Sequence, residues 1–446
     1  MALAQCGPPK SEAVIKAENA FGTVGADARY HALVWQDYSF GMRHHSYIVG
    51  IEKAERDKIG VAFRTYDTGR LKPPNEAFDL SAIDEPQQTT KFERINNDIR
   101  AMFVSHVVAH RFDPDTAGMR TEFLYDAYAI EPSDPPTTYE DGWNAIAQME
   151  RYLKSDIENA KARGVPFTHL MFLSMGWNND QVVAVSAYDA ILSQISDAAR
   201  TDVEVFRPLV IGLTWPSVWG GTSIVDTLNR IAHVGSYPAK ANDSDEIGFL
   251  FANHIMNSTL PKLEQVDPSL QTVAIGHSMG ARILSRAYFS GPMLRNEVRR
   301  TGQPPIIIGL QGAFSANRFR QDHQLIPPFR WVTVGEGGPY QSFQEDQARI
   351  ALTWARGDIY NPLARFATGA AHVGGFAGNR IFKKDEIEPK ITRFKGIPDT
   401  DLIAACQAAD EDNDILYVDA SEYIGEHSDV RNPEVGKLVW SLMQCW

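Results

Sequence analysis

From about residue 119 onward, short apolar runs alternate with helix-patterned segments, and this alternation restricts the possible fold more than any other feature of the 446-residue chain. Residues 122–130, 169–173, 208–214, 272–275, 305–310, 349–355 and 414–418 read as strands. Helical spacing falls between them, over 141–163 (ended by Gly164 and Pro166), 182–199, 246–263, from Met279 onward, and over 433–443. Strands that are apolar almost throughout, separated by helices, predict a mostly parallel, doubly wound α/β sheet covered on both faces. Before residue 118 the text differs. Strand-like runs at 30–35, 46–51 and 61–66 precede Phe92, Ile95, Ile99, Met102, Phe103 and Val107, whose spacing predicts an amphipathic helix. Residues 1–118 are therefore expected to form an N-terminal extension of unknown role, and 119–446 the main domain, with a cap inserted at 215–245. No period repeats along the chain.

Charge narrows the partners. Lys and Arg total 43 against 56 Asp and Glu, a net charge of −13, and the basic residues form no run. Such a chain is poorly suited to nucleic acid or to an anionic membrane surface. No stretch approaches the ~18 apolar residues of a membrane span. A soluble protein is expected, cytoplasmic rather than exported, since the first residues lack the apolar core of a signal peptide. Three cysteines are too few for a disulfide scaffold or a zinc site, although a Cys406–Cys445 bridge remains open. Nothing in the sequence speaks to oligomeric state.

Gly276-His277-Ser278-Met279-Gly280 lies where an apolar strand passes directly into a helix. A G-x-S-x-G in that setting forces the serine onto a strained turn with its Oγ raised above the sheet edge, the placement a nucleophile needs. The helix N-terminus there favours developing negative charge. A nucleophilic serine needs a base and an acid that orients it. His427, on a loop between the last strand and last helix, is best placed as base; His372 is second, and His323 reads as a solvated loop. Asp358, after a Gly turn at the end of the 349–355 strand, suits the acid, with Asp322, Glu336 and Asp419 as alternatives. An oxyanion needs two N–H groups: Met279 supplies one, and Trp177, after the 169–173 strand, is the candidate for the other.

Together, Gly176-Trp-Asn-Asn, Thr214-Trp215-Pro216-Ser217, the segment 241–248 and Gly276-His-Ser-Met-Gly280 resemble the α/β-hydrolase superfamily. Within it they are similar to a branch of bacterial and fungal serine hydrolases whose substrates are largely unassigned. The likeness runs from about residue 120 to the C-terminus. One departure is Met175-Gly176, where the branch usually carries His-Gly. The resemblance implies an α/β-hydrolase fold, no cofactor, and Ser278, Asp358 and His427 as nucleophile, acid and base. The expected activity is hydrolysis of a small, neutral carboxylic ester through an acyl-enzyme. Lipases, thioesterases, amidases and acyltransferases share this constellation. A catalytically silent binding protein on the same fold is the reading from another class.

Three further features carry alternative readings. Trp215 and Trp219, in the expected cap, could line a substrate pocket or simply pack the long loop on the sheet. His106 and His110 are four apart, a spacing that metal-binding pairs use. No glutamate stands between them in the H-E-x-x-H manner and no third ligand is evident, so packing histidines and no metal are expected. His44-His45 reads as a surface loop.

Overall fold

The computed structural model describes residues 41–61, 98–113, 118–128, 137–177, 179, 181–200, 205–217, 240–290, 298, 300–319, 348–361, 371–383, 391–398, 400–412 and 414–446. Its strands are β1 (Ser46–Glu55), β2 (Arg100–Asp113), β3 (Gly118–Asp126), β4 (His169–Ser174), β5 (Pro208–Thr214), β6 (Gln271–His277), β7 (Ile306–Leu310), β8 (Arg349–Trp354), β9 (Ile391–Lys395) and β10 (Ile415–Asp419). All ten join one sheet in the order β3-β2-β1-β5-β4-β6-β7-β8-β10-β9. From β1 to β9 neighbouring strands are parallel; β2 and β3 close one edge antiparallel. The chain is thus an α/β protein with a mixed, mostly parallel sheet flanked by helices.

The helices are α1 (Thr138–Ala162), α2 (Gln181–Ala199), α3 (240–266), α4 (Met279–Phe289), α5 (Phe376–Ile381), α6 (Thr400–Asp412) and α7 (Pro433–Cys445). Successive strand residues point to opposite faces, and the core divides accordingly. Leu170 and Phe172 of β4, Leu209, Ile211 and Leu213 of β5 and Ala274 of β6 pack with α1, α3 and α4. Met171 and Leu173, Val210, and Val273 and Ile275 pack with α2, α6 and α7. Both faces of the central strands are buried, which is why those strands read as unbroken apolar runs.

The helix expected from Phe92 to Val107 is not formed where the chain is described. Residues 100–113 are strand β2, whose Ala101, Met102, Phe103, Val104, Val107, Val108 and Ala109 are all buried. A run covered on both faces carries no period, so its chance agreement with helical spacing misleads; Phe92 and Ile95 lie outside the described residues. The boundary placed at 118 falls where β3 begins, and β1 joins the parallel strands through β5. The described part of the N-terminal stretch therefore belongs to the same sheet. The strand-like runs at 30–35 and 62–66, and residues 218–239 of the expected cap, lie outside the described residues. Strand β9, with only Phe394 buried, and helix α6 were not anticipated.

Two sets of buried contacts fix the framework behind β6. Asp245 of α3 accepts from Arg282 (Nη2, 2.6 Å) and Arg286 (Nε, 3.3 Å) of α4 and from Arg318 (Nη2, 3.3 Å), all fully or almost fully buried. A buried guanidinium is tolerated only when paired, so this carboxylate clamps α4 against α3. Lys53 of β1 donates to Glu246 of α3 at 2.9 Å and to Asp243 at 3.1 Å. On the other face a disulfide between Cys406 and Cys445 ties α6 to α7. Among the described residues no helix is long and apolar enough to cross a membrane.

Candidate active site

Strand β6 runs directly into α4, and Ser278 is the single residue between them. Its backbone takes φ 56°, ψ −119°, a conformation that costs a non-glycine residue about 1–3 kcal/mol and persists only where the surroundings impose it. Here they do. A Cβ on Gly280 would lie 1.9 Å from the Ser174 carbonyl oxygen, and one on Gly276 2.5 Å from the Ala281 nitrogen. Only glycines allow this strand–helix approach. Ser278 N–H donates to Leu310 O at the end of β7, and Ser278 O accepts from Ala313 N–H.

Ser278, Asp358 and His427 follow β6, β8 and β10, all at the C-terminal edge of the parallel strands. The structure brings the three together. His427 Nε2 lies 2.8 Å from Ser278 Oγ, and His427 Nδ1 lies 2.8 Å from Asp358 Oδ2. The carboxylate is wholly buried and the imidazole partly exposed. Each Asp358 oxygen is doubly engaged: Oδ2 also accepts from Asn361 Nδ2 (2.7 Å), and Oδ1 accepts the N–H groups of Tyr360 and Asn361 (3.0 and 3.1 Å). Burial alone would raise this carboxyl's pKa. The hydrogen bond and charge of His427 and the donors of Asn361 outweigh burial and hold the pKa below the ordinary value. Asp358 is therefore anionic at neutral pH, and its partner nitrogen on His427 carries the proton. That leaves Nε2 as an acceptor facing the serine.

His277, just before Ser278, is a part of the site that sequence reasoning passed over. Its Nε2 lies 2.8 Å from the carbonyl oxygen of His427, and the two rings are 4.9 Å apart. A carbonyl only accepts, so Nε2 bears the proton. Burial first, and the neighbouring His427 second, push the His277 pKa down to about 3, and the ring stays neutral. The residue ties the His427 loop to strand β6. Asn361 is the other omission: beyond Asp358, its Nδ2 donates to Gln311 O (3.2 Å) and its Oδ1 lies 3.1 Å from His372 Nδ1. Both are ordinary polar residues in the sequence, and only the contacts mark them.

The loop after β4 passes close to Ser278, since a Cβ on Gly176 would lie 3.0 Å from Ser278 Oγ. Side chains hold this loop on every carbonyl from 175 to 177. Trp215 Nε1 donates to Met175 O (3.0 Å), and Asn179 Nδ2 to Gly176 O (2.9 Å) and Trp177 O (3.3 Å). Tyr188 OH accepts from Met175 N–H (3.2 Å) and donates to Leu213 O (2.6 Å). Ser217 and Asn179 exchange two further bonds. These bonds hold residues 175–177 beside Ser278. Trp177 is half-buried within it. Met279, the first residue of α4, has an N–H for which the helix offers no acceptor, and it donates to no other described residue.

The remaining candidates fall elsewhere. Trp215 is buried, with its indole N–H on the Met175 carbonyl of the loop. Trp219, Asp322, His323 and Glu336 lie outside the described residues. His372 meets Asn361 Oδ1 through its Nδ1, and Asp419 closes a turn with Ser421. His106 and His110 lie on strand β2, not on a helix. They meet Ser105 Oγ (3.0 Å) and Thr121 Oγ1 (2.9 Å), and among the described residues no group of three His, Cys, Asp or Glu is placed to hold a metal ion. His45 pairs with Asp156 at 2.8 Å beside the N-terminal end of β1, the sheet edge opposite the triad. Compared with known proteins, the chain matches no family model, no curated protein and no solved structure.

Proposed function

We propose that this chain is a serine hydrolase of the α/β-hydrolase kind, cleaving small neutral carboxylic esters through an acyl-enzyme. One observation carries the reading: an Oγ–Nε2 contact of 2.8 Å continued by an Nδ1–carboxylate contact of 2.8 Å, on a serine held at positive φ. A satisfied structural serine needs neither the strain nor the relay. The acidic charge balance favours neutral esters over anionic ones.

Ser278 Oγ attacks the ester carbonyl carbon while His427 Nε2 takes its proton, and Asp358 stabilises the imidazolium. The Met279 N–H, with Trp177 N–H from the held loop, stabilises the oxyanion. On collapse the C–O bond to the alcohol breaks, and the alcohol oxygen leaves with the electron pair and takes the proton from His427. Water, deprotonated by the same imidazole, then releases the acid from Ser278.

A fluorophosphonate probe, which phosphonylates activated serines, tests the reading. Wild-type protein labels and hydrolyses p-nitrophenyl esters, whereas Ser278→Ala does neither while keeping its melting temperature. Folded wild-type protein that resists the probe would refute the proposal and return the chain to the class of silent binding folds.

A further inference from the structure

The turn that orients the acid also decides what surrounds the base. Asp358 is buried, and its Oδ1 gathers the N–H groups of Tyr360 and Asn361. The backbone therefore wraps around the carboxylate and leaves the two intervening side chains outside. Ile359 is 64% exposed and Tyr360 52% exposed. Exposed large hydrophobic side chains among the described residues otherwise occur singly along the sequence, and single ones are ordinary. This pair is different in its position, because the Tyr360 ring centre lies 5.5 Å from that of His427.

Resting on the serine-hydrolase reading above, we infer that Ile359 and Tyr360 form the subsite for the alcohol portion of the ester, and that the substrates are esters of alkyl or aryl alcohols. The leaving oxygen must come within hydrogen-bond reach of His427 Nε2 to receive its proton. Whatever that oxygen carries therefore extends beside the imidazole, where the exposed Tyr360 ring stands with Ile359 next to it in the chain. Two uncharged, water-facing apolar groups gain by covering an alkyl chain or a ring. They offer little to a zwitterionic or polyhydroxylated alcohol. The acyl half stays on Ser278 Oγ and is not selected here.

The test holds the acyl group fixed and varies the alcohol: ethyl, butyl and hexyl acetate, with glycerol monoacetate as the polar counterpart. For wild-type protein kcat/KM rises about fourfold per added methylene until the subsite is filled, and the glycerol ester is the poorest. In Tyr360→Ser and Ile359→Ser the hexyl-to-ethyl ratio of kcat/KM falls about tenfold. Tyr360→Phe retains the ratio, because the ring and not the hydroxyl makes the contact. A wild-type profile flat in alcohol length, a ratio unmoved by both serine variants, or a preference for the glycerol ester would overturn the subsite. Fluorophosphonate labelling of the same preparations separates the two failures. Labelled protein with a flat profile leaves the hydrolase standing and removes the subsite; unlabelled, inactive protein removes both.

Discussion

Replacing Asp358 with asparagine tests the proposed catalytic geometry most sharply, because four contacts dictate how the new amide must sit. Oδ1 accepts two backbone N–H groups that cannot move without unwinding the turn, so the asparagine oxygen is retained there. Its NH2 then faces His427 Nδ1 and Asn361 Nδ2, both donors. Asn361 cannot flip to accept without losing Gln311 O and reversing the amide group that faces His372. His427 gives way instead, moving its proton from Nδ1 to Nε2. The nitrogen facing Ser278 then donates where it must accept, and it cannot take the serine proton. The expected loss is about 10,000-fold in kcat, or roughly 5.4 kcal/mol of transition-state stabilisation. KM for a p-nitrophenyl ester stays near wild type, and the melting temperature falls only modestly, since the amide keeps the shape and the two backbone bonds while losing the bond from Asn361. A fall in kcat of less than about tenfold, or one matched by an equal loss of folded protein, would refute the reasoning.

Trp215→Phe removes the N–H that holds Met175 O while keeping an aromatic ring. At about 1–3 kcal/mol for an abandoned buried carbonyl, kcat falls roughly 5- to 150-fold with KM unchanged; a raised KM at unchanged kcat would put the indole against substrate instead. Burial first of all holds His169 and His254 at pKa values of about 4 and His277 at about 3. The unfolded chain takes up protons below the ordinary pKa of about 6.5 that the folded state refuses. Stability is therefore complete above pH 6.5 and declines from there towards pH 4, by up to about 1.4 kcal/mol per pH unit per histidine. Asp358, whose pKa is also lowered, adds its loss only below the ordinary carboxylate range. Melting temperatures that stay level from pH 8 to 5 would contradict this account. Cutting the Cys406–Cys445 bridge, which spans 39 residues, frees loop entropy worth about 4 kcal/mol. Cys445→Ser should melt well below the parent and respond far less than it does to a reductant; equal melting curves would count against the bridge.

Much of the sheet was legible because its central strands are covered on both faces and its helices on one, which writes apolar runs and 3.6-residue stripes directly into the sequence. The elbow was legible for another local reason: Gly276, Ser278 and Gly280 answer steric demands within one turn. The error at β2 marks the limit of such signals. Met102, Phe103 and Val107 fit a helix by spacing, yet the strand is decided by hydrogen bonds to β1, whose residues lie about fifty positions earlier.

What the sequence determines by itself is therefore the βα alternation, the strained serine, and a short roster of histidines and carboxylates at strand ends. The relay through His427 and Asp358, the harness of Trp215, Asn179 and Tyr188, the hold of His277 on the base's loop and the Cys406–Cys445 pairing were decided only by the tertiary structure. Each joins residues from about thirteen to 150 positions apart, apart from the short Asn179 contacts. Periodicity and turn chemistry act over a few residues, whereas a hydrogen bond or a disulfide depends on where the folded sheet brings its loops.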